Sequence, residues 1–159
     1  MTVNIEQNNL SLLNFMFRLD RTPDIEYRCQ SVTLPSMSLG TAIAPTPFVV
    51  LPFPGEVEYD ELTLQFLVGE NMRDYLSIFD WMVALGRPDS LDQYRNWRSD
   101  CTVFILNSSM RANLTAKFTE AYPVNLSGIT FDTTLSEIQY ATATVTFRFT
   151  RWYVEKIEP

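Results

Sequence analysis

Period-two alternation of apolar and polar residues runs through most of the chain and predicts strands. Leu13, Phe15, Phe17 and Leu19 alternate with Asn14, Met16, Arg18 and Asp20, which reads as a half-buried strand. A second strand is expected over residues 26–34, halted by Pro35. The clearest case is residues 61–68, where Leu62, Leu64, Phe66 and Val68 share one face and Glu61, Thr63 and Gln65 the other. Residues 101–106 are apolar on both faces, as expected of a strand covered on both sides. A strand over residues 114–122 ends or bulges at Pro123 and resumes over 124–130, and residues 140–157 form the last and longest strand.

Two segments break the alternation. Over residues 71–85 the spacing turns helical, with Met72, Tyr75, Ile78, Phe79, Met82 and Leu85 on one stripe. Asn71 is a good N-cap, Asp74 favours the positive end of the helix, and Gly86 followed by Pro88 is a stop signal. The polar loop after it, residues 87–100, carries aromatic anchors at Tyr94 and Trp97. Residues 35–60 hold five of the nine prolines, yet also Ile43, Phe48, Val49, Val50, Leu51 and Phe53. Proline interrupts ladder pairing, and an apolar segment does not belong in water. Such a stretch reads either as an extended arm docking on another chain or as one folded back over its own core.

The expected fold is mainly β: a sandwich or barrel of two antiparallel sheets, one helix over about residues 71–85, and the Pro-rich arm. A length of 159 residues suits one domain spanning 1–159. The net charge is −7, from 12 basic and 19 acidic residues, which argues against gripping nucleic acid but not against a surface it slides past. Cys29 and Cys101 read as small buried hydrophobes, since two cysteines make no disulfide framework. The polar start, residues 1–9, is unlike a secretory signal, and no apolar run reaches membrane-helix length, so assembly in the cytoplasm is expected.

Chemistry is mostly missing. The chain has no histidine, which removes the commonest general base and metal ligand, and its five glycines are isolated. No catalytic residue, metal site or cofactor is expected. Glu56, Glu58, Asp60 and Glu61 cluster beside Pro54-Gly55 and read as a solvated acidic rim or lumen patch rather than a buried acid pair. Thr142, Thr144, Thr146 and Arg148 share one face of the last strand, which reads equally as a solvent face or as a pore wall or intersubunit face. Arg151, Trp152 and Tyr153 read as strand-end packing in preference to a base-stacking platform.

The order of elements, with residues 14–40, 52–82, 118–134 and 140–157, resembles the tail tube proteins of contractile-tailed phages. The shared features are a strand ending at Leu34-Pro35, a Pro54-Gly55 turn, a strand leading to a helix that bears Trp81, a Tyr122-Pro123 step and a final alternating strand. The same fold serves the type VI secretion tube protein and the baseplate rings that initiate tubes. The resemblance implies a non-enzymatic virion subunit that closes into hexameric rings and stacks into a channel for DNA ejection. It implies partners in sheath, baseplate and tape-measure proteins, DNA only as cargo, and no membrane. It places inter-subunit and inter-ring contacts on Ile43, Pro45, Pro47, Phe48, Val49, Val50, Leu51 and Phe53. Alternatives are a baseplate-proximal ring of the same fold, or a β-sandwich binding or adaptor module.

Overall fold

The structure is a computed structural model describing residues 9–92 and 96–157; Tyr94 lies outside the described residues. Among the described residues the main elements follow the order β1 (Phe15–Leu19), β2 (Cys29–Thr33), β3 (Met37–Pro45), β4 (Val50–Tyr59), β5 (Leu62–Leu67), α1 (Arg73–Gly86), β6 (Ser99–Leu106), β7 (Ala112–Leu126), β8 (Thr142–Arg148) and β9 (Arg151–Lys156). A 3-10 turn, Pro23–Ile25, precedes β2. All pairings are antiparallel, in the order β1-β6-β7-β8-β5-β2, with β9 also on β7 and β3-β4 forming a separate ribbon.

β7 divides the body into two facing halves. Its first part pairs with β6 and β9, and Tyr122–Leu126 pairs with β8. Glu120 sits at the change of partner with φ 56, a left-handed conformation that costs a non-glycine residue about 1 kcal/mol. Its surroundings hold it there: the amide donates to Asp100 Oδ1 at 3.1 Å, and the carboxylate accepts from Thr150 Oγ1 at 2.7 Å and Arg98 at 2.5 Å. The expected single strand over 140–157 breaks opposite this bend, at Phe149-Thr150, into β8 and β9. The result is a sandwich and not a closed barrel. Phe17, Leu19, Leu62, Leu64, Phe66, Cys101, Phe118, Val145 and Phe147 interlock in one core between the halves. Burial of these side chains is the main stabilising term, at about 1.5–3 kcal/mol for each large residue.

Several expectations shift. β1 is shorter than its alternation, and Leu13 is exposed. β6 is covered unequally: Cys101, Val103 and Leu106 are buried, whereas Thr102, Phe104 and Ile105 are half-buried. The strand after Pro123 ends at Leu126, and residues 127–141 form a loop with Phe131, Ile138 and Tyr140 exposed. Both cysteines are free, Cys101 buried and Cys29 half-buried.

The helix starts later than its cap signal. Met72, with φ 54, stands at the N-cap in place of Asn71. The capping is done by Asp74, whose buried carboxylate accepts from the amides of Gly69 at 3.1 Å and Tyr75 at 2.9 Å. Ile78 and Trp81 face the core, and the Trp81 indole donates to the Trp97 carbonyl at 2.8 Å. Phe79, expected on the inner stripe, is exposed.

Candidate functional site

Residues 35–60 are neither irregular nor folded back over the core. They form a two-stranded ribbon that prolongs the β2-β5 pair, joined to it where the Asp60 amide donates to the Ser36 carbonyl at 3.0 Å and Ser36 Oγ donates to the Asp60 carboxylate. Its prolines are compatible with pairing because of their register. Pro45, Pro52 and Pro54 stand opposite Val50, Ile43 and Thr41. These pairs share one parity, the class in which backbone N–H groups point away from the partner strand, so no ladder donor is missing. Sequence reasoning saw the prolines but not that they fall in one parity class. Pro54-Gly55 is accordingly not a turn: both lie inside β4, where Gly55 and Glu56 bulge opposite Gly40. The turn is at residues 46–49, with the Val49 amide donating to Thr46 Oγ1 at 3.1 Å.

The tip of the ribbon is apolar on both faces. Ala42-Phe53 and Ala44-Leu51 occupy one face, and Ile43-Pro52 and Pro45-Val50 the other. Phe48 at the turn is 96% exposed, and Ile43, Val49, Val50, Leu51 and Phe53 are all exposed. A half-buried sheet strand keeps one polar face for water; this segment has none. Near the root, Met37, Leu39, Val57 and Tyr59 share a face, and Tyr59 rests on Phe149 and Trp152, with ring centroids 6.1 and 6.5 Å apart. Trp152 in turn stacks on Phe118 at 5.6 Å with planes 11° apart. Trp152 is thus packing for the ribbon's root and is not presented to a nucleobase.

The acidic residues separate. Glu56 and Glu58 project from β4, fully exposed and with no ion pair among the described residues, while Asp60 caps the root. Glu61 reaches β8 instead, accepting from Arg148 Nε at 2.9 Å. At these exposed positions the pair contributes little to stability.

Register turns the threonines into part of a broader surface. Thr144 and Thr146 of β8 stand beside Gln65 and Thr63 of β5, which stand beside Ser31 and Thr33 of β2. On the other flank Asn125 of β7 faces Thr146. Four strands therefore present one continuous hydroxyl and amide face, with the Glu61-Arg148 pair at its edge. Ser31, Thr33, Thr63, Gln65 and Asn125 were not singled out from sequence; their alternation with buried neighbours was visible, but their shared face needs the register. The outer strands of this half are open. β2 has a strand neighbour on one side only, and pairing of β6 with β7 stops at Ala121, which leaves Tyr122–Leu126 with β8 alone.

Among the described residues no group of His, Cys, Asp and Glu side chains is placed to hold a metal ion. No helix in this range is long and apolar enough to cross a membrane.

Known proteins share this architecture. The chain is similar to the PVC sheath-tube complex of an extracellular contractile injection system in its extended state, at 18% identity over 96% of this chain and 95% of that one, with a TM-score of 0.73. It is similar to the tube-terminating cap of the anti-feeding prophage, at 16% identity over 99% and 95%, also with a TM-score of 0.73. Hcp1 from Flavobacterium johnsoniae matches at 15% identity over 91% and 98%, with a TM-score of 0.53. At these identities the likeness speaks for the fold. No curated protein matches the chain by sequence. The phage tail tube protein family matches residues 2–155, which is nearly the whole length, and the chain belongs to that family.

Proposed function

We propose that this tail tube subunit closes into hexameric rings that stack head to tail around a channel for DNA ejection. The observation that carries this reading is the ribbon of residues 37–59, whose tip is apolar on both faces and exposed among the described residues. Exposed apolar surface of this extent marks an interaction site.

Lateral closure uses the two open strands. β2 of one copy pairs with Tyr122–Leu126 of the next, a heterologous contact that leaves no free edge once the ring is complete. The hydroxyl and amide face then lines the channel, with Thr142, Thr144, Thr146 and Arg148 on its wall. Such a face offers hydrogen bonds but few cations, so phosphates pass without being held. Glu56, Glu58, Asp60 and Glu61 form an acidic rim that repels the duplex from sites where it would adhere. The arm residues Ile43 to Phe53 make the contact with the adjacent ring. The likeness to a sheath-tube complex supports sheath protein as an outer partner, and membership of the tail tube family supports a place in the virion tail and a structural, non-enzymatic role; baseplate protein and a tape-measure protein within the channel complete this reading.

Negative-stain microscopy of the purified protein tests the reading. Six-fold rings or filaments with a central hole are expected. A chain that remains monomeric at high concentration, alone and with sheath and baseplate proteins, overturns it.

A further inference from the structure

The arm leaves the body at one end, and α1, with an apolar groove along it, begins at the other. β5 begins beside the arm's root at Leu62 and finishes at Leu67, opposite Thr142. At that far end the Val68 amide donates to the Ala141 carbonyl at 2.9 Å, and the Tyr75 hydroxyl donates to the Ser127 carbonyl at 3.1 Å. α1 starts there and runs back along the body. Tyr75, Phe79, Met82, Val83 and Leu126 line a groove of about 510 Å³ along it, closed at the helix C-terminus by Gly86 and the cation Arg87, with Arg73 just outside its other end. Phe79 and Val83 are 48% and 47% exposed.

Charge separates this groove from an ordinary apolar patch. Arg73 is the first residue of α1, where a cation opposes the helix dipole, and it makes no ion pair among the described residues. The arm carries the complementary pattern, an apolar tip at Phe48 and Phe53 and unpaired Glu56 and Glu58 on its stem. The lengths are comparable. The nine residues from Phe48 in the turn to Glu56 in β4 span at most about 26 Å, and α1 from Arg73 to Gly86 spans about 20 Å.

We propose that the arm of one copy lies in the α1 groove of the next copy along the tube, tip toward Gly86 and stem carboxylates beside Arg73. This rests on the reading of the arm as an inter-ring contact and adds its receptor. The arm's root and the Arg73 end of the groove sit at opposite ends of β5, so the contact is head to tail and propagates without closing.

Charge reversal and cross-linking test it on the full-length protein. Arg73→Glu improves the helix dipole, so any loss of assembly cannot come from a weakened helix. It should raise the lowest concentration at which filaments form by about tenfold, and Glu56→Arg in the same chain should largely restore it. Mixed Phe48→Cys and Val83→Cys chains should give a cross-linked dimer with a short bis-maleimide, and neither chain alone should do so. Cys101 is buried, and a Cys29→Ser background removes the half-buried native thiol from the cross-linking. Filaments that need the arm tip but show neither the cross-link nor sensitivity to Arg73→Glu overturn the groove and leave the arm's role standing. Filaments unaffected by removing residues 46–49, or no filaments under any condition, overturn both.

Discussion

Gly55 lies directly against the backbone of Gly40 across the arm: a Cβ on Gly55 would stand 2.8 Å from the Gly40 carbonyl oxygen and 2.9 Å from its carbon. The obstacle is main chain and cannot rotate away, so the bulge that sets the arm's direction depends on glycine at this point. Gly55→Ala should re-aim the arm while leaving the body intact. The expected outcome is a thermal midpoint within about 2 °C of wild type, faster hydrogen exchange at residues 41–44, and impaired filament growth. A body that unfolds with the arm would contradict this independence.

The core requires the opposite sensitivity. Phe147 is fully buried and lies 6.1 Å from Trp81, ring centre to ring centre. Phe147→Ala should cost about 3–5 kcal/mol of stability, read from urea unfolding below the concentration at which the protein assembles. A loss under about 1 kcal/mol would mean that the two halves do not meet there.

Asp74 is 2% exposed, and its carboxylate ties the Gly69 amide to the start of α1. Its partner Arg28 is half-exposed and 3.8 Å away, a weak contact by comparison. Asp74→Ala should therefore destabilise by about 1–2 kcal/mol, and Arg28→Ala by much less. Equal losses in urea melts would transfer the role from the cap to the ion pair.

The Glu120 carboxyl is held below the usual carboxylate range, first by the Thr150 hydroxyl and then by Arg98 and Arg151. A lowered carboxylate pKa contributes stability above the unfolded value, and that contribution disappears as pH falls through the folded value. Glu120→Gln should therefore be less stable than wild type at neutral pH, with the gap narrowing below the ordinary carboxylate range. Urea melts from neutral to acidic pH read this directly; a gap that widens toward acid would refute the assignment.

Burial pushes the Cys29 thiol up to about 12, outweighing a backbone hydrogen bond with Ser31 that acts the other way, and raises Cys101 further. Neither should react appreciably with maleimide near neutral pH while folded, and both should react promptly in denaturant. Rapid labelling of the native protein would show that β2 opens.

Alternation made β5 legible because Leu62, Leu64 and Phe66 fill one face without interruption. The same rule overextended the last strand, since nothing local to Phe149 and Thr150 signals a break. That break answers the bend at Glu120, a residue some thirty positions away, and only pairing reveals it. The arm was legible as a place but not as a structure: its apolar content and prolines marked it, while its strand character depends on which residue faces which across the ribbon. Likewise the threonines of β8 were found, but the face they complete was assembled by three further strands. Phe79 was assigned inward because helical spacing cannot say where the apolar stripe ends, and Arg73 carried no signal until the helix start was fixed.

The placement of Pro52 and Pro54 on the outward side of β4 has a bearing on life before assembly. A newly made subunit carries a bare, greasy ribbon through a crowded cell, the kind of element that seeds amyloid by adding strand upon strand. With two donors deleted along that margin, a second ribbon has nothing to zip onto there. On the proposed reading, this margin of β4 is a poor template for strand addition, which favours docking through the arm's apolar faces over fibre formation.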